Sequence, residues 1–491
     1  MAGTDAVCKV AFIGSECYPF IKTGGLGDVM YALPRALIRE GCSVRVILPL
    51  YACIPEKYKS QMQYIGSFMM DQTMDGRTFY VGIMELEIDG VTYDFVDNRE
   101  FFDWGNPYTG LWEDIPKYCY FSKASLAILN YLNWIPDVIH CHDWQAALVP
   151  LYLRTKFWNS ELATSKSILT IHNLRFQGIC GIQHLKYWSG LSDGLFDYPV
   201  LKQNEDEANM FKGGLAYADR ITTVSATYAR EIQTPEFGEH LDGHLRYHQG
   251  KLSGIVNGID TELWDPETDT LLAAPYNAEN VLQKKWDNKC ALRETLGMDR
   301  ENGGKIVLGL ISRLTDQKGL DLVEYIFNRI MEDEDTQVVV LGTGDPRYEN
   351  AFRYYEGLYK GNVCAYISYN EALAHQIYAG ADAFLVPSLF EPCGLTQLIA
   401  MRYGTVPIVR ETGGLKDTVA PFNPETLEGN GFTFDHYSPD LLLDAVNRAK
   451  NLFRTDRPCW DAMVRRNMGK DVSWEKSAKQ YLELYLEVRG N

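Results

Sequence analysis

No CxxC spacing occurs among the 11 cysteines of this 491-residue chain, which are scattered from Cys8 to Cys459. They also lack the density of a disulfide-stapled secreted domain, so reduced and mostly buried thiols are expected. Long hydrophobic runs are missing too. No segment reaches the roughly 18 apolar residues of a membrane span, and no basic region followed by an apolar run opens the chain. A soluble, intracellular protein is expected, although a transit peptide removed beforehand would leave the same sequence. Positive charge is in deficit: 47 Lys and Arg face 65 Asp and Glu, a net charge of −18. Such a field repels polyphosphate backbones and anionic lipid, which argues against nucleic acid and membrane partners. An anionic small substrate would have to be met by a local basic cluster. Neither a Walker lysine nor a Gly-x-Ser-x-Gly elbow is present.

What is present is enough apolar material for more than one core. Hydrophobic residues make up 46% of the chain, and its length exceeds the size at which a single core keeps growing. Short β-branched runs alternate with amphipathic stretches at Val7–Gly14, Ser43–Pro49, Val91–Val96, Asp137–Cys141, Ser167–His172 and Arg220–Ser225. The rhythm restarts at Lys305–Ser312 and continues through Gln337–Gly342, Val363–Ile367, Ala383–Pro387 and Thr405–Val409. Strands alternating with helices predict parallel sheets. Between the series, Gly250–Pro275 contains Asn257-Gly258 and Asp265-Pro266 and suits a hinge. The expected fold class is therefore α/β, with two Rossmann-like doubly wound domains, 1–254 and 255–470, facing across a cleft. Ligands belong at the carboxyl ends of their strands. The last amphipathic stretch, Trp474–Val488, suits packing on either domain.

Polar clusters fall just after predicted strands. The first is Lys22-Thr23-Gly24-Gly25-Leu26-Gly27-Asp28. Its glycines permit close backbone approach to a phosphate, Lys22 supplies charge, and a helix N-terminus follows. The loop lacks the spacing of an ATPase or dinucleotide fingerprint, and a bare strand-to-helix turn is the competing account. Next come His140-Cys141-His142-Asp143-Trp144 and Thr170-Ile171-His172-Asn173. His172 suits a hydrogen bond to substrate or a structural core role. In the second half, Arg313 and Lys318 leave the strand Val307–Ile311 and can reach one diphosphate, the alternative being a surface ion pair with Asp316. Glu391-Pro392-Cys393-Gly394-Leu395-Thr396 follows another strand, with a helical pattern expected near Gly394. Glu391 suits hydrogen bonds from sugar hydroxyls, or simple stabilisation of that helix. Glu411-Thr412-Gly413-Gly414 would suit backbone contacts to a hydroxyl-rich ring.

Metal sites are not expected. His140/His142 and the series His240, His244, His248 have ligand chemistry but not three or four converging groups with supporting partners. Asp333-Glu334-Asp335 matches the Asp-x-Asp of metal-dependent sugar transferases, yet it precedes a strand where a site would follow one.

Taken together, KTGGLGDV, HCHDW, TIHNLRFQG, VNGID, SRLTDQKG, EPCGLTQL and ETGGLKDTV resemble the bacterial glycogen synthase and plant starch synthase family from about residue 7 to residue 488. The resemblance implies a GT-B fold and a retaining, metal-independent hexosyltransferase without a cofactor. ADP-glucose would be the donor substrate and an α-1,4-glucan (glycogen, starch or maltooligosaccharide) the acceptor, extended at its nonreducing end. By motif, Lys22 would lie near the donor phosphates, Gly25 would approach the donor and Asp28 the glucosyl site. His172 would hydrogen-bond the glucose. Arg313 and Lys318 match the diphosphate-binding pair and Glu391 the essential carboxylate. Thr396 would sit at the phosphates, with Cys393, Gly394 and Leu395 beside it in the donor site. Asp143 and Trp144 correspond to cleft residues near the reacting sugar, Asn257 falls in the same cleft, and Tyr369 would stack on adenine. Residues 471–491 would return as a helix to the first domain. Many related retaining transferases carry a second Glu where this chain has Ile399, so Glu391 acts without that partner. The family implies a cytoplasmic location in a bacterium or the plastid stroma for a processed plant or algal protein, and leaves the oligomeric state open.

The residues favour closure of the two domains around the departing ADP and same-face attack by the acceptor hydroxyl. A diphosphate leaves readily, and no carboxylate nucleophile accompanies His172. Two alternatives remain: a transferase using UDP-glucose with a small acceptor such as a sugar phosphate, and a non-catalytic glucan-binding protein. Trp112 and Tyr108 suit either an exposed aromatic platform for glucan or core packing.

Overall fold

Runs of Val, Ile and Leu bounded by glycine and polar turns pair as strands in the computed structural model, which describes residues 6–300 and 304–490. The chain divides into two compact units. One runs to Asn257 and resumes at Trp474; the other is Gly258–Ser473.

In the first unit the strands are β1 (Lys9–Ile13), β2 (Ser43–Pro49), β3 (Gln63–Asp71), β4 (Thr78–Ile88), β5 (Val91–Asp97), β6 (Val138–His142), β7 (Lys166–Ile171), β8 (Ile179–Gly181), β9 (Glu207–Asn209), β10 (Arg220–Thr223) and β11 (Leu252–Gly254). Among the described residues one nine-stranded sheet has the order β11-β10-β7-β6-β1-β2-β5-β4-β3, and β8 pairs separately with β9. All pairings in the large sheet are parallel except β3–β4 and β4–β5.

The second unit holds β12 (Ile306–Ile311), β13 (Thr336–Leu341), β14 (Val363–Tyr366), β15 (Ala383–Val386), β16 (Val406–Arg410) and β17 (Phe432–Phe434). They form a parallel sheet of order β14-β13-β12-β15-β16-β17. Ranked by position in the chain, this is 3-2-1-4-5-6. The parallel strands of the first sheet follow the same order with a seventh added. Both units are thus Rossmann-like, and in each the order reverses beside its first strand, between β1 and β6 and between β12 and β15. Open parallel sheets hold ligands at that reversal, outside the carboxyl ends of the strands.

Each unit has its own apolar core. The helix Trp474–Arg489 buries Trp474, Ala478, Tyr481 and Tyr485 in the first core and packs on the helix Gly25–Arg39. The predicted parallel strands all appear, with no end shifted by more than two residues. The hairpin β3–β4 is absent from the sequence reading: both strands carry internal glycine and interrupted alternation, and one face remains partly exposed. The three-residue strands β8, β9, β11 and β17 are too short to leave a periodic signature. Among the described residues no helix is long and apolar enough to cross a membrane.

Candidate active site

In the first unit, the polar segments at the strand reversal are the loop after β1 and the turn after β6. Lys22 is exposed and its ammonium pairs with Asp28 Oδ1 at 2.7 Å. Gly27 makes room for the lysine stem, since a Cβ there would lie 3.1 Å from Lys22 Cγ. Gly25 opens the helix Gly25–Arg39 and is exposed. One expectation about this loop changes. Glu16, only 3% exposed, accepts from the Thr23 N–H, the Thr23 hydroxyl (2.8 Å) and the Gly24 N–H (3.3 Å). Those two amides are therefore spent on an internal carboxylate and not free for a phosphate. Lys22 remains as the positive charge of this loop, its ammonium held by Asp28 and the backbone after it by Glu16. Tyr108 is no exposed platform: its hydroxyl donates to Glu16 and lies 2.9 Å from Ser15 Oγ. Trp112, by contrast, is exposed and stacks on His184 with ring centroids 4.1 Å apart.

Asp143 follows β6 directly and has a positive φ of 58°. Its Oδ1 accepts the His172 N–H at 2.7 Å and the Asn173 N–H at 3.4 Å, tying the turn after β6 to the end of β7. His172 Nε2 lies 2.9 Å from His142 Nδ1. Trp144 is buried in the core, its ring edge-on to Tyr118 and covered by the Gly178 backbone, where a Cβ would come within 2.5 Å of the indole. Asn257 is buried as well, and its Oδ1 has no partner among the described residues. Burial lowers His172 to about 3 and pushes His140 and His142 well below the ordinary imidazole range, so all three rings are neutral at pH 7.

Burial pushes the Asp143 carboxyl up from 3.8 to about 7, against the two N–H groups that favour its ionised form. Between those values the native state binds more protons than the unfolded chain. This group's contribution to stability therefore falls as pH rises from 4 to 7 and stays at its lowest above that. Asp143→Asn removes the effect and can keep both accepted hydrogen bonds. Its Tm relative to the parent protein is expected to rise between pH 4 and pH 8, as measured by thermal unfolding. A difference independent of pH would contradict the raised value.

In the second unit, the loops after β12 and β15 lie on either side of the reversal and meet. Lys318 Nζ donates to Glu391 Oε2 at 2.7 Å, and Ser388 Oγ donates to the same oxygen at 2.8 Å. The alternative, a surface ion pair with Asp316, is not formed by either cation among the described residues; that carboxylate accepts from Tyr348. Arg313 is exposed, and its guanidinium has no partner among the described residues. The two loops are joined through backbone: Leu389 N–H donates to Gln317 O at 2.9 Å, and Gly319 sits where a Cβ would lie 2.0 Å from Pro387 O.

The Glu411-Gly414 segment has a different role from the one expected. A Cβ on Gly413 would lie 2.0 Å from Glu391 O, and one on Gly414 2.1 Å from Cys393 O. The Gly414 N–H donates to Glu391 O at 3.1 Å. This glycine pair supports the backbone that carries Glu391. Buried Arg410 braces the same loop, donating to Ser388 O at 2.8 Å and to Leu389 O. Cys393 is buried, Gly394 takes a φ of +73°, and the helix begins at Thr396, two residues later than expected, with Leu395 and Thr396 half-buried. Tyr369 follows β14 and is 82% exposed.

Glu16, Ser388 and Arg410 are the supporting residues that sequence reasoning missed, while His142, weighed there only for metal-ligand chemistry, meets His172 instead. Only their position beside strand ends could have pointed to them. The Asp333-Glu334-Asp335 run is a surface turn in which Asp333 pairs with Lys450 at 2.9 Å and Arg454 at 3.0 Å. Among the described residues, no three His, Cys, Asp or Glu side chains come together as a metal site.

Comparison with known proteins adds an independent line. Residues 9–247 match the starch synthase catalytic domain family and residues 297–456 the glycosyl transferases group 1 family. The glycogen synthase of Lachnospira eligens is 50% identical over 97% of this chain and 99% of its own length. The chain belongs to the glycogen and starch synthase family. The glycogen synthase of Clostridioides difficile is 43% identical over 98% of this chain and 99% of its own. Among solved structures, the catalytic domain of starch synthase IV from Arabidopsis thaliana, bound to ADP and acarbose, is similar with a TM-score of 0.89 and 36% identity. That match covers 99% of this chain and 100% of the other. Family membership makes the protein a glucosyltransferase with the GT-B type of fold.

Proposed function

We propose that the chain transfers glucose from ADP-glucose to the nonreducing end of an α-1,4-glucan with retention of configuration. The observation that carries this reading is the pairing of Lys318 with Glu391 at 2.7 Å across the strand reversal of the second unit, with Arg313, exposed and without a partner among the described residues, in the same loop as Lys318. Two cations at one strand end suit a diphosphate. Glu391, an anion next to them, suits the sugar hydroxyls and not the phosphates.

In this assignment residues 255–470 bind the nucleotide sugar and 1–254, with the helix from 471–491, carry the acceptor side. Arg313 and Lys318 hold the diphosphate, with Cys393, Gly394, Leu395 and Thr396 lining the donor site and Tyr369 stacking on adenine. Lys22 adds positive charge to the leaving group, with Gly25 and Asp28 nearby. His172 hydrogen-bonds the glucose, and Asp143, Trp144 and Asn257 shape the sugar site. Charge placement then supplies most of the catalysis, since preorganised donors act where negative charge grows on the departing ADP. No residue needs to protonate so good a leaving group, and the donor and glucan suffice without a metal or cofactor. Initial rates on glycogen with ADP-glucose and with UDP-glucose test the reading. ADP-glucose is expected to be the faster donor; no ADP release with any glucan primer would sink it.

A further inference from the structure

The histidines of β6 and the end of β7 form a small neutral array whose proton positions are constrained. Side chains alternate along a strand, so His140 and His142 share one face of β6. The register sets His142 opposite Thr170, with His172 two residues further on. His140 is fully paired, through Nδ1 to Tyr485 Oη at 2.7 Å and through Nε2 to Thr170 Oγ1 at 2.6 Å. His142 is different. Its Nδ1 faces His172 Nε2 at 2.9 Å, while its own Nε2 is buried with no hydrogen-bond partner among the described residues. Phe12 stacks on one side of the ring at 5.4 Å and His140 lies 4.2 Å away. Half-exposed His172 makes no hydrogen bond through Nδ1 among the described residues.

Two neutral rings joined nitrogen to nitrogen share one proton in their contact. If His172 were the donor, His142 would carry its proton on Nε2, leaving a buried N–H without an acceptor. If His142 is the donor, its Nε2 is a bare lone pair. Orphaned buried N–H groups are the rarer and costlier of the two. We propose that His142 is a positioning residue that donates from Nδ1 to His172 Nε2 and thereby fixes His172 as the Nδ1–H tautomer, presenting a hydrogen-bond donor to a hydroxyl oxygen of the transferred hexose. The tautomer of one ring is set by the bond its other nitrogen makes. The inference deepens the sugar-contacting role given to His172 above and rests on it.

The test begins with the full-length protein labelled with ¹⁵N-histidine, free of donor and acceptor, whose ring tautomers are read from two-bond ¹H–¹⁵N correlations and assigned by the signals lost in His172→Asn. His172 is expected to carry its proton on Nδ1; protonation at Nε2 would overturn the proposal. In the second arm, His142→Leu, which removes the donor, is compared with His142→Asn, whose amide can present one near the position of Nδ1. His142→Leu should lower kcat roughly 10–100-fold, as loss of an orienting outer partner does, with a smaller change in KM. His142→Asn should recover most of that loss. Equal losses in both variants, or none in either, would reduce His142 to packing. Because the tautomer is read without substrate, a parent protein that transfers no glucose would sink the sugar-contact role while leaving the proton assignment to the spectrum.

Discussion

Arg313→Ala is expected to lower turnover by on the order of 10²–10³ and to leave thermal stability unchanged. The guanidinium is exposed and has no partner among the described residues, so its removal breaks no folded-state contact. Exposed substitutions of this kind stay within about 0.5 kcal/mol of the parent protein. The whole effect should therefore fall on the reaction, where one preorganised donor to a developing charge contributes about 3–4 kcal/mol. Arg313→Lys keeps the charge but not the planar fork that grips two phosphate oxygens, and should recover only part of the rate. Steady-state kinetics with ADP-glucose and glycogen, read beside a thermal melt, decide the matter. Normal turnover in Arg313→Ala would remove this residue from the diphosphate.

The Lys318–Glu391 pair carries the second large effect, and here stability and activity should separate. Side chains of Lys318 and Glu391 are 20% and 10% exposed, so the pair is mostly withdrawn from water. Lys318→Ala leaves the Glu391 carboxylate with Ser388 as its remaining side-chain donor among the described residues. Such a poorly compensated group costs about 1–3 kcal/mol, and loss of a cation proposed to hold the diphosphate should also lower kcat by on the order of 10²–10³. Glu391→Gln is the sharper probe. Its amide oxygen can still accept from Lys318 and Ser388, so folding should be nearly retained, while the negative charge proposed to meet the sugar is gone and turnover should fall as far. A Glu391→Gln protein with ordinary turnover would show that shape at this position matters and charge does not. A variant that loses rate only in proportion to lost folded protein would make the pair structural.

Much of this candidate site is legible in the sequence. Lys22, His172, Arg313 and Glu391 each follow a β-branched run closely, and local periodicity places such runs as strands. Ser43–Pro49 was bounded by its own pattern and is β2 without adjustment. The supporting set was not legible. Glu16 is one more acidic residue in an acidic chain until the loop after β1 folds back and gives it two amides. Arg410 looks like any charged strand end until its side chain reaches the carbonyls of Ser388 and Leu389. The glycines of Glu411-Gly414 invited a ligand-facing role, whereas their missing Cβ atoms serve a neighbouring backbone.

By itself, the order of residues along the chain determined the two α/β series, the strand ends at which chemistry could occur and the absence of a membrane-spanning run, because these depend on patterns spanning fewer than about 20 neighbours. Which strand lies beside which was decided only by the tertiary structure. Residues 73 apart, Lys318 and Glu391, form an ion pair because β12 and β15 are adjacent, and residues 30 apart, His142 and His172, share a proton because β6 lies against β7 in register. Such pairings are chosen by the packing of whole sheets and helices around a common core, a competition among distant segments that no local stretch of residues encodes.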